Sequence, residues 1–202
     1  MNIQMVPGYH PKLTYLLTAA CILVGIFTQL SSDFDSIRPL LITNYVDVGL
    51  PEIKSGEIWR LLTPIFIHFG FFHLVLNMLW LWQLGALLEF RRGPIVFLTV
   101  IIFSAIASNL GEYYYSGPLF GGMSGVIFAL LGYLWVQGRL NPRFGVKLNP
   151  GLVKMVMIWF VICWSGVLTL INLHIANVAH TVGLLSGALF AFIAVKLGNQ
   201  RL

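Results

Sequence analysis

The sequence predicts an all-α membrane protein built as a bundle of six transmembrane helices. Its residues are 58% hydrophobic and only 9% charged, whereas soluble domains carry about 25% charged residues. Its mean hydropathy is +0.86. A membrane-spanning helix needs about 20 apolar residues. The chain of 202 residues therefore has room for six spans with short loops, and we expect one domain over residues 1–202 with no separate soluble domain.

The six apolar stretches are separated by turn and charge signals. They cover residues 13–30, 70–88, 94–114, 124–138, 152–173 and 178–197. Gly93-Pro94 and Asn149-Pro150-Gly151 are strong breaks. The first stretch follows a single nearby lysine, Lys12, and ends without a small-residue cleavage site. We therefore interpret it as a retained helix and not as a signal peptide.

The distribution of charges predicts the orientation of the bundle. Six spans place both termini on one side, and that side receives nine basic residues against three on the other: Lys12, Arg91, Arg92, Arg139, Arg143, Lys147, Lys154, Lys196 and Arg201 against Arg38, Lys54 and Arg60. Cytoplasmic loops carry the excess of Lys and Arg, so we expect both termini in the cytoplasm. The basic pI near 9.4 then reflects topology, and no basic stripe with interleaved aromatic residues indicates binding of nucleic acid.

The fourth apolar stretch is too short to cross a membrane. Ser124 to Gly138 is 15 residues, about 22 Å of helix against a hydrocarbon core of about 30 Å. The preceding segment 116–122 must therefore enter the protein as irregular backbone. Such backbone is tolerated at membrane depth only where it is buried in protein or lines a water cavity. The start of this helix is thus a candidate functional region.

Ser124 lies at this position, among the glycines Gly121, Gly122 and Gly125. Glycines permit a tight turn with inward-pointing amides, and a helix N-terminus adds positive potential. Both features suit a developing oxyanion. A close contact between helices that needs small residues explains the same pattern without any chemistry.

His180 lies near the start of the sixth stretch, and an ionisable residue inside a span indicates function by default. Below it, Gly183, Gly187 and Ala191 recur every four residues, a pattern that lets another helix approach closely. If that helix is the fourth, His180 can act as the base that activates Ser124. A proton relay and a structural hydrogen bond are the alternatives.

His73 and Asn77 are four residues apart on the second stretch and so share a helix face. Both side chains can donate hydrogen bonds to an oxyanion. Hydrogen bonding between helices would use the same two residue types, and the spacing alone does not separate the two interpretations.

The sequence lacks the residues that other classes of intramembrane protease require. The only aspartates, Asp33, Asp35 and Asp47, precede the second stretch, so a pair of intramembrane aspartates is excluded. The metalloprotease pattern H-E-x-x-H is absent, and we expect neither a metal nor a cofactor. No aspartate is placed to orient His180, so the sequence allows a dyad and not a triad.

Five motifs in order resemble the rhomboid proteases, and among them the bacterial GlpG-type branch. They are Trp59-Arg60, His73-x-x-x-Asn77, Glu89-x-Arg91-x-Gly93, Gly122-Met123-Ser124-Gly125 and Ala179-His180-x-x-Gly183. The resemblance covers essentially the whole chain. It implies an intramembrane serine endopeptidase of a bacterial inner membrane, whose substrates are transmembrane proteins in the lipid bilayer.

The resemblance also implies a role for each site residue. Ser124 would be the nucleophile and His180 the general base, while His73, Asn77 and the Ser124 amide would surround the oxyanion. The fifth helix and the segment 115–121 would control substrate access. Substrate-binding positions would be Phe72, Trp159 and Gly122, although lipid or helix packing explains the two aromatic residues equally well.

Two features depart from the family pattern, and one alternative function stays open. Phe128 stands one turn after Ser124 where a tyrosine is common, which keeps the ring for stacking on the histidine. The loop 168–176 is a few residues longer than usual. A catalytically silent relative that binds membrane clients is the alternative to an enzyme, and a small transporter with a His180 proton relay is a more distant one.

Overall fold

The structure is a computed structural model that describes residues 8–46, 48–171 and 175–198. This part of the chain is helical and contains no strand. Its α-helices are α1 Lys12–Phe27, α2 Phe34–Ile37, α3 Pro51–Lys54, α4 Phe71–Trp80, α5 Ala86–Ser116, α6 Ser124–Leu140, α7 Pro150–Trp164 and α8 Asn177–Gly198. A π-helical segment, Leu81–Gly85, joins α4 to α5. Asp47, Arg201 and residues 172–174 of the longer loop lie outside the described residues.

Gly93 divides the longest helical stretch into two helices. Residues 71–116 are helical throughout except at Gly93, where φ is 80° and ψ is 168°. Pro94 follows and begins the second part, a position where its missing N–H costs nothing. The second and third apolar stretches of the sequence are therefore separate helices that meet at this break.

Within the described ranges, two helical stretches are long and apolar enough to cross a membrane, Phe71–Ser116 and Asn177–Gly198. Three more helices are apolar but shorter: α1, α6 and α7. Many large apolar side chains lie on the outer surface, such as Leu16, Ile95 and Leu185. A surface of this kind suits a lipid environment and not water. The count of six spans goes beyond this finding and stays a prediction.

Two predicted helix boundaries were wrong. The first helix ends at Phe27 and not at residue 30, because Gln29, Leu30 and Ser31 all adopt left-handed backbone. The fifth helix ends at Trp164 and not at residue 173. Gly166, with φ 76°, turns the chain there into a short 3₁₀ segment. The chain stays largely apolar beyond Trp164, so hydropathy could not locate the end of the fifth helix, whereas the polar pair Thr28-Gln29 follows the end of the first.

The connection between α1 and α4 has a defined structure, and Arg60 anchors it. This side chain is only 5% exposed. Its Nη1 donates to the carbonyls of Arg38 and Leu41, both at 2.8 Å, and its Nε donates to the Glu57 carboxylate at 2.7 Å. Charge-assisted bonds of this kind are the stronger ones. They fix the segment that lies directly before α4.

Helix α6 occupies the centre of the bundle, with thirteen of its 17 residues buried. It packs most extensively on α8 and then on α5. A Cβ on Gly183 would collide with the Gly125 carbonyl, and one on Gly187 with the Ala129 carbonyl. The small-residue face predicted on the sixth helix therefore packs against the fourth, which is the condition for a contact between His180 and Ser124. Because protein surrounds α6, it need not match the bilayer thickness.

Candidate active site

Ser124 and His180 form a hydrogen-bonded pair. Ser124 is the first residue of α6 and His180 lies in the first turn of α8. The distance from Ser124 Oγ to His180 Nε2 is 2.8 Å. The imidazole is 6% exposed. If Nε2 accepts the serine proton, the neutral ring carries its own proton on Nδ1.

The close crossing of α6 and α8 explains this geometry. Gly125 follows Ser124 directly, and Gly183 lies one turn after His180. The two glycines touch through the Gly125 backbone, so no side chain separates the helices at this level. Small residues allow such an approach in membrane helices, and here they bring a serine and a histidine into hydrogen-bond reach.

An aromatic ring covers one face of the His180 imidazole. Phe128 stacks on His180 with ring centroids 4.5 Å apart and an interplanar angle of 20°. Phe160 of α7 lies behind Phe128, with centroids 6.0 Å apart. Over the described residues, His180 Nδ1 is buried without a hydrogen-bond partner. Stacking on Phe128 and the bond to Ser124 thus orient the ring, and none of the described carboxylates binds Nδ1.

His73 and Ser124 face one small space above Gly122. A Cβ built on Gly122 would lie 2.8 Å from His73 Nε2 and 3.7 Å from Ser124 Oγ. The backbone N–H of Phe69 approaches His73 Nδ1 at 3.3 Å. If Nδ1 accepts that bond, the neutral ring carries its proton on Nε2, which points into the shared space as a donor.

Asn77 is buried one turn further along α4. Its Nδ2 donates to the His73 carbonyl at 2.8 Å, while its Oδ1 has no partner in the described part of the chain. One of the two amide protons therefore stays available. The bond between them confirms that His73 and Asn77 share a helix face.

The segment before Ser124 is irregular backbone, as predicted. Residues 117–123 lie between α5 and α6. Gly122 adopts φ 122° and donates its N–H to the Pro64 carbonyl at 3.0 Å. Since Ser124 begins a helix, its own N–H has no acceptor within that helix. Among the described residues the Ser124 N–H has no backbone acceptor elsewhere either, so it is a candidate donor to a ligand at this site.

Comparison with known protein families identifies the family of this chain. The family model described as "Rhomboid domain" matches residues 55–197, which include all of the residues above. This chain belongs to the rhomboid family. It is thereby an all-helical rhomboid membrane protein, and the family predicted from the five motifs is confirmed.

Curated relatives place the chain within the family. It is 34% identical over 188 residues to the protein named "Rhomboid protease GlpG" of Salmonella newport (strain SL254), and equally to the protein of the same name of Salmonella typhimurium (strain LT2). Each alignment covers 93% of this rhomboid and 65% of the relative. The chain thus spans less than two thirds of the length of these relatives.

Phe72 and Trp159, the two aromatic residues with an expected substrate role, lie on the surface of the rhomboid bundle. Phe72 of α4 is 78% exposed and Trp159 of α7 is 46% exposed. By comparison, Ser124 is half-buried and His180 is buried. The two side chains are placed where either lipid or an arriving helix would touch them, so their role stays a prediction.

Glu112 was not singled out as a site residue from the sequence. This carboxylate is 3% exposed and accepts hydrogen bonds from Ala179 N and Ser116 Oγ. A glutamate at the end of an apolar stretch was the available signal. Across the described residues, no group of three or more His, Cys, Asp or Glu side chains is arranged to hold a metal ion.

Gly122→Ala is expected to remove most of any activity of this rhomboid. The new methyl group would occupy the space shared by His73 Nε2 and Ser124 Oγ, and loss of one oxyanion donor costs about 10²–10³-fold in kcat. Gly117→Ala is the matched control, since Gly117 also has a positive φ but nothing within 4 Å of its Cβ position. Cleavage of a single-span reporter in detergent measures both. Equal losses in the two variants would mean that backbone strain and not this space is responsible.

Proposed function

We propose that this rhomboid is an intramembrane serine endopeptidase that hydrolyses peptide bonds in or near transmembrane segments of other membrane proteins. The 2.8 Å contact between Ser124 Oγ and His180 Nε2 carries the proposal. A serine is a weak nucleophile until a neighbouring base accepts its proton. A hydrogen-bonded pair of a half-buried serine and a buried histidine, beside unpaired donors, supports hydrolysis better than client binding, which needs neither residue. The names of the curated relatives point the same way.

The reaction proceeds in two halves. Ser124 Oγ attacks the scissile carbonyl carbon while His180 Nε2 takes the hydroxyl proton, which gives a tetrahedral oxyanion. When this intermediate collapses, the C–N bond breaks and His180 gives its proton to the leaving amine. Water then attacks the acyl-serine with His180 again as base, releasing the new carboxyl terminus and restoring Ser124.

Three donors would stabilise the oxyanion: the Ser124 N–H, His73 Nε2–H and Asn77 Nδ2–H. His73 points into the space beside Ser124 Oγ, and Asn77 lies one turn away with an amide proton to spare. Fixed donors in a site that excludes bulk water are worth far more than donors in water.

The substrate is a helix that must unwind before it can be cut. A scissile carbonyl within a helix is already hydrogen-bonded, so segments with weak helix propensity, rich in Gly or Pro, should react faster. Phe72 and Trp159 are exposed on α4 and α7, and we assign them to contact with the arriving segment. Gly122 borders the space beside Ser124 Oγ and would leave room for a small side chain before the cut.

The topology proposed with this function has six transmembrane spans. The bundle lies in the inner membrane of a bacterium, and both termini lie in the cytoplasm. Gly93 supplies the turn between the second and third spans. Nine basic residues on the side of the termini against three on the other side support the orientation. In this orientation Ser124 opens toward the outer side, from which the hydrolytic water would come.

An active-site label tests the proposal. Purified protein is treated with a fluorophosphonate, which modifies only activated serines, and the modified residue is mapped by mass spectrometry. Ser124→Ala should lose the label. Ser186→Ala is the matched control, because Ser186 is also buried but donates only to the Gly183 carbonyl, and it should keep the label. No labelling of the wild type, together with no cleavage of several reporters, would favour the client-binding alternative.

A further inference from the structure

Glu112 is a buried carboxylate that the proposed mechanism does not use. It lies on α5 one turn before the helix ends and is 3% exposed. Its Oε2 accepts the Ala179 N–H at 2.8 Å, and its Oε1 accepts the Ser116 hydroxyl at 2.6 Å. Among the described residues it takes part in no ion pair. Burying a carboxylate is costly unless hydrogen bonds compensate for the lost water, so its place requires a reason.

The partner of Glu112 is the first turn of α8. The first N–H groups of a helix have no acceptor within the helix and are usually satisfied by a capping side chain. The residue before α8 is Ala176, whose side chain cannot accept a hydrogen bond. Glu112 supplies the missing acceptor from a different helix. Negative charge at a helix N-terminus is also favoured by the helix dipole.

This cap acts directly beside the dyad histidine. Ala179, whose N–H is held, immediately precedes His180. The two helices also touch at Gly111, where a Cβ would lie 2.9 Å from Val182 Cγ2. Helix α5 thus contacts α8 on both sides of His180 in the sequence, at Ala179 and at Val182.

We propose that Glu112 is a positioning residue that keeps His180 within reach of Ser124 by fixing the first turn of α8 to α5. The inference rests on the proposed protease function. General-base catalysis depends on the 2.8 Å contact between His180 and Ser124, and a displacement of about 1 Å can cost about 10²-fold in rate. Without Glu112, the bond from Asn177 Nδ2 to the Cys163 carbonyl would still tie this turn to α7, but the hydrogen bond that ties it to α5 would be lost.

The chain offers a matched control in Glu89. This carboxylate is also 3% exposed, and it caps the start of α1 in the same way, accepting bonds from Leu13 N, Thr14 N and Thr14 Oγ1 at 2.8–3.0 Å. It is part of neither the dyad nor the oxyanion site. Loss of either carboxylate should lower the thermal midpoint, while only loss of Glu112 should disturb the reaction.

The experiment measures kcat and KM per folded molecule with a single-span reporter, the fluorophosphonate labelling rate and the thermal midpoint in detergent. For Glu112→Ala we expect kcat and labelling to fall at least about tenfold with KM within about twofold. Glu112→Gln should stay within about threefold of wild type, because the amide can accept from Ala179 N and donate to Ser116 Oγ. Glu89→Ala should lower only the midpoint. Should Glu112→Ala not fold, Glu112→Asp, which is too short to keep the bond, replaces it.

Three results would overturn the inference. Glu112→Ala could match Glu89→Ala, with a lower midpoint and wild-type kcat, which would mean a purely structural cap. Glu112→Gln could fall as far as Glu112→Ala, which would assign the effect to charge and not to positioning. A wild type that neither labels nor cleaves would remove the protease proposal itself, and with it this one.

Discussion

Ser124→Ala and His180→Ala are each expected to reduce reporter cleavage by at least about 10³-fold, because in the proposed mechanism the dyad carries both covalent bond formation and proton transfer. Ser124→Ala removes the only nucleophile in the 2.8 Å contact. His180→Ala leaves a hydroxyl without a base. The measurement is initial cleavage rate of purified protein in detergent, with the thermal midpoint recorded for each variant.

The double variant provides the sharper result. Residues that act as one unit show strongly non-additive effects, so Ser124→Ala/His180→Ala should be no slower than either single variant. If the two losses multiplied instead, the residues would act independently and the dyad would be refuted. Cleavage at the wild-type rate by all three variants would reveal a contaminating protease.

The parts of the site that sequence reasoning could predict depend on local spacing. His73 and Asn77 share a face because they are four residues apart, and their hydrogen bond confirms it. The repeat of Gly183 and Gly187 predicts one smooth helix face, and the structure packs that face on α6. The length of the fourth stretch predicted irregular backbone before Ser124. Each of these conclusions needs only helix periodicity and membrane thickness.

The parts that could not be predicted depend on contacts between distant segments. Glu112 accepts an N–H from a residue 67 positions away, and no sequence pattern identifies a backbone partner on another helix. Arg60 is similar, since it binds the carbonyls of Arg38 and Leu41. The early end of α7 at Trp164 was missed for another reason: the chain remains apolar after the backbone turns at Gly166.

Gly183→Ala tests whether the crossing of α6 and α8 creates the dyad. The added Cβ would overlap the Gly125 carbonyl, a backbone group that cannot rotate away, so the two helices must separate. Overpacking of this kind costs about 1–3 kcal/mol of stability. Because Gly125 adjoins Ser124, the same shift lengthens the Ser124–His180 contact, and we expect cleavage to fall about 100-fold.

Two variants on the same helix make this prediction specific. Gly198→Ala has nothing within 4 Å of its Cβ position and should leave both the thermal midpoint and cleavage unchanged. Gly187→Ala would overlap the Ala129 carbonyl one turn further from the dyad and should lower the midpoint about as much as Gly183→Ala. Cleavage per folded molecule should fall less, since the displaced backbone does not adjoin Ser124. A Gly183→Ala protein with wild-type midpoint and labelling would show that the dyad does not depend on this crossing.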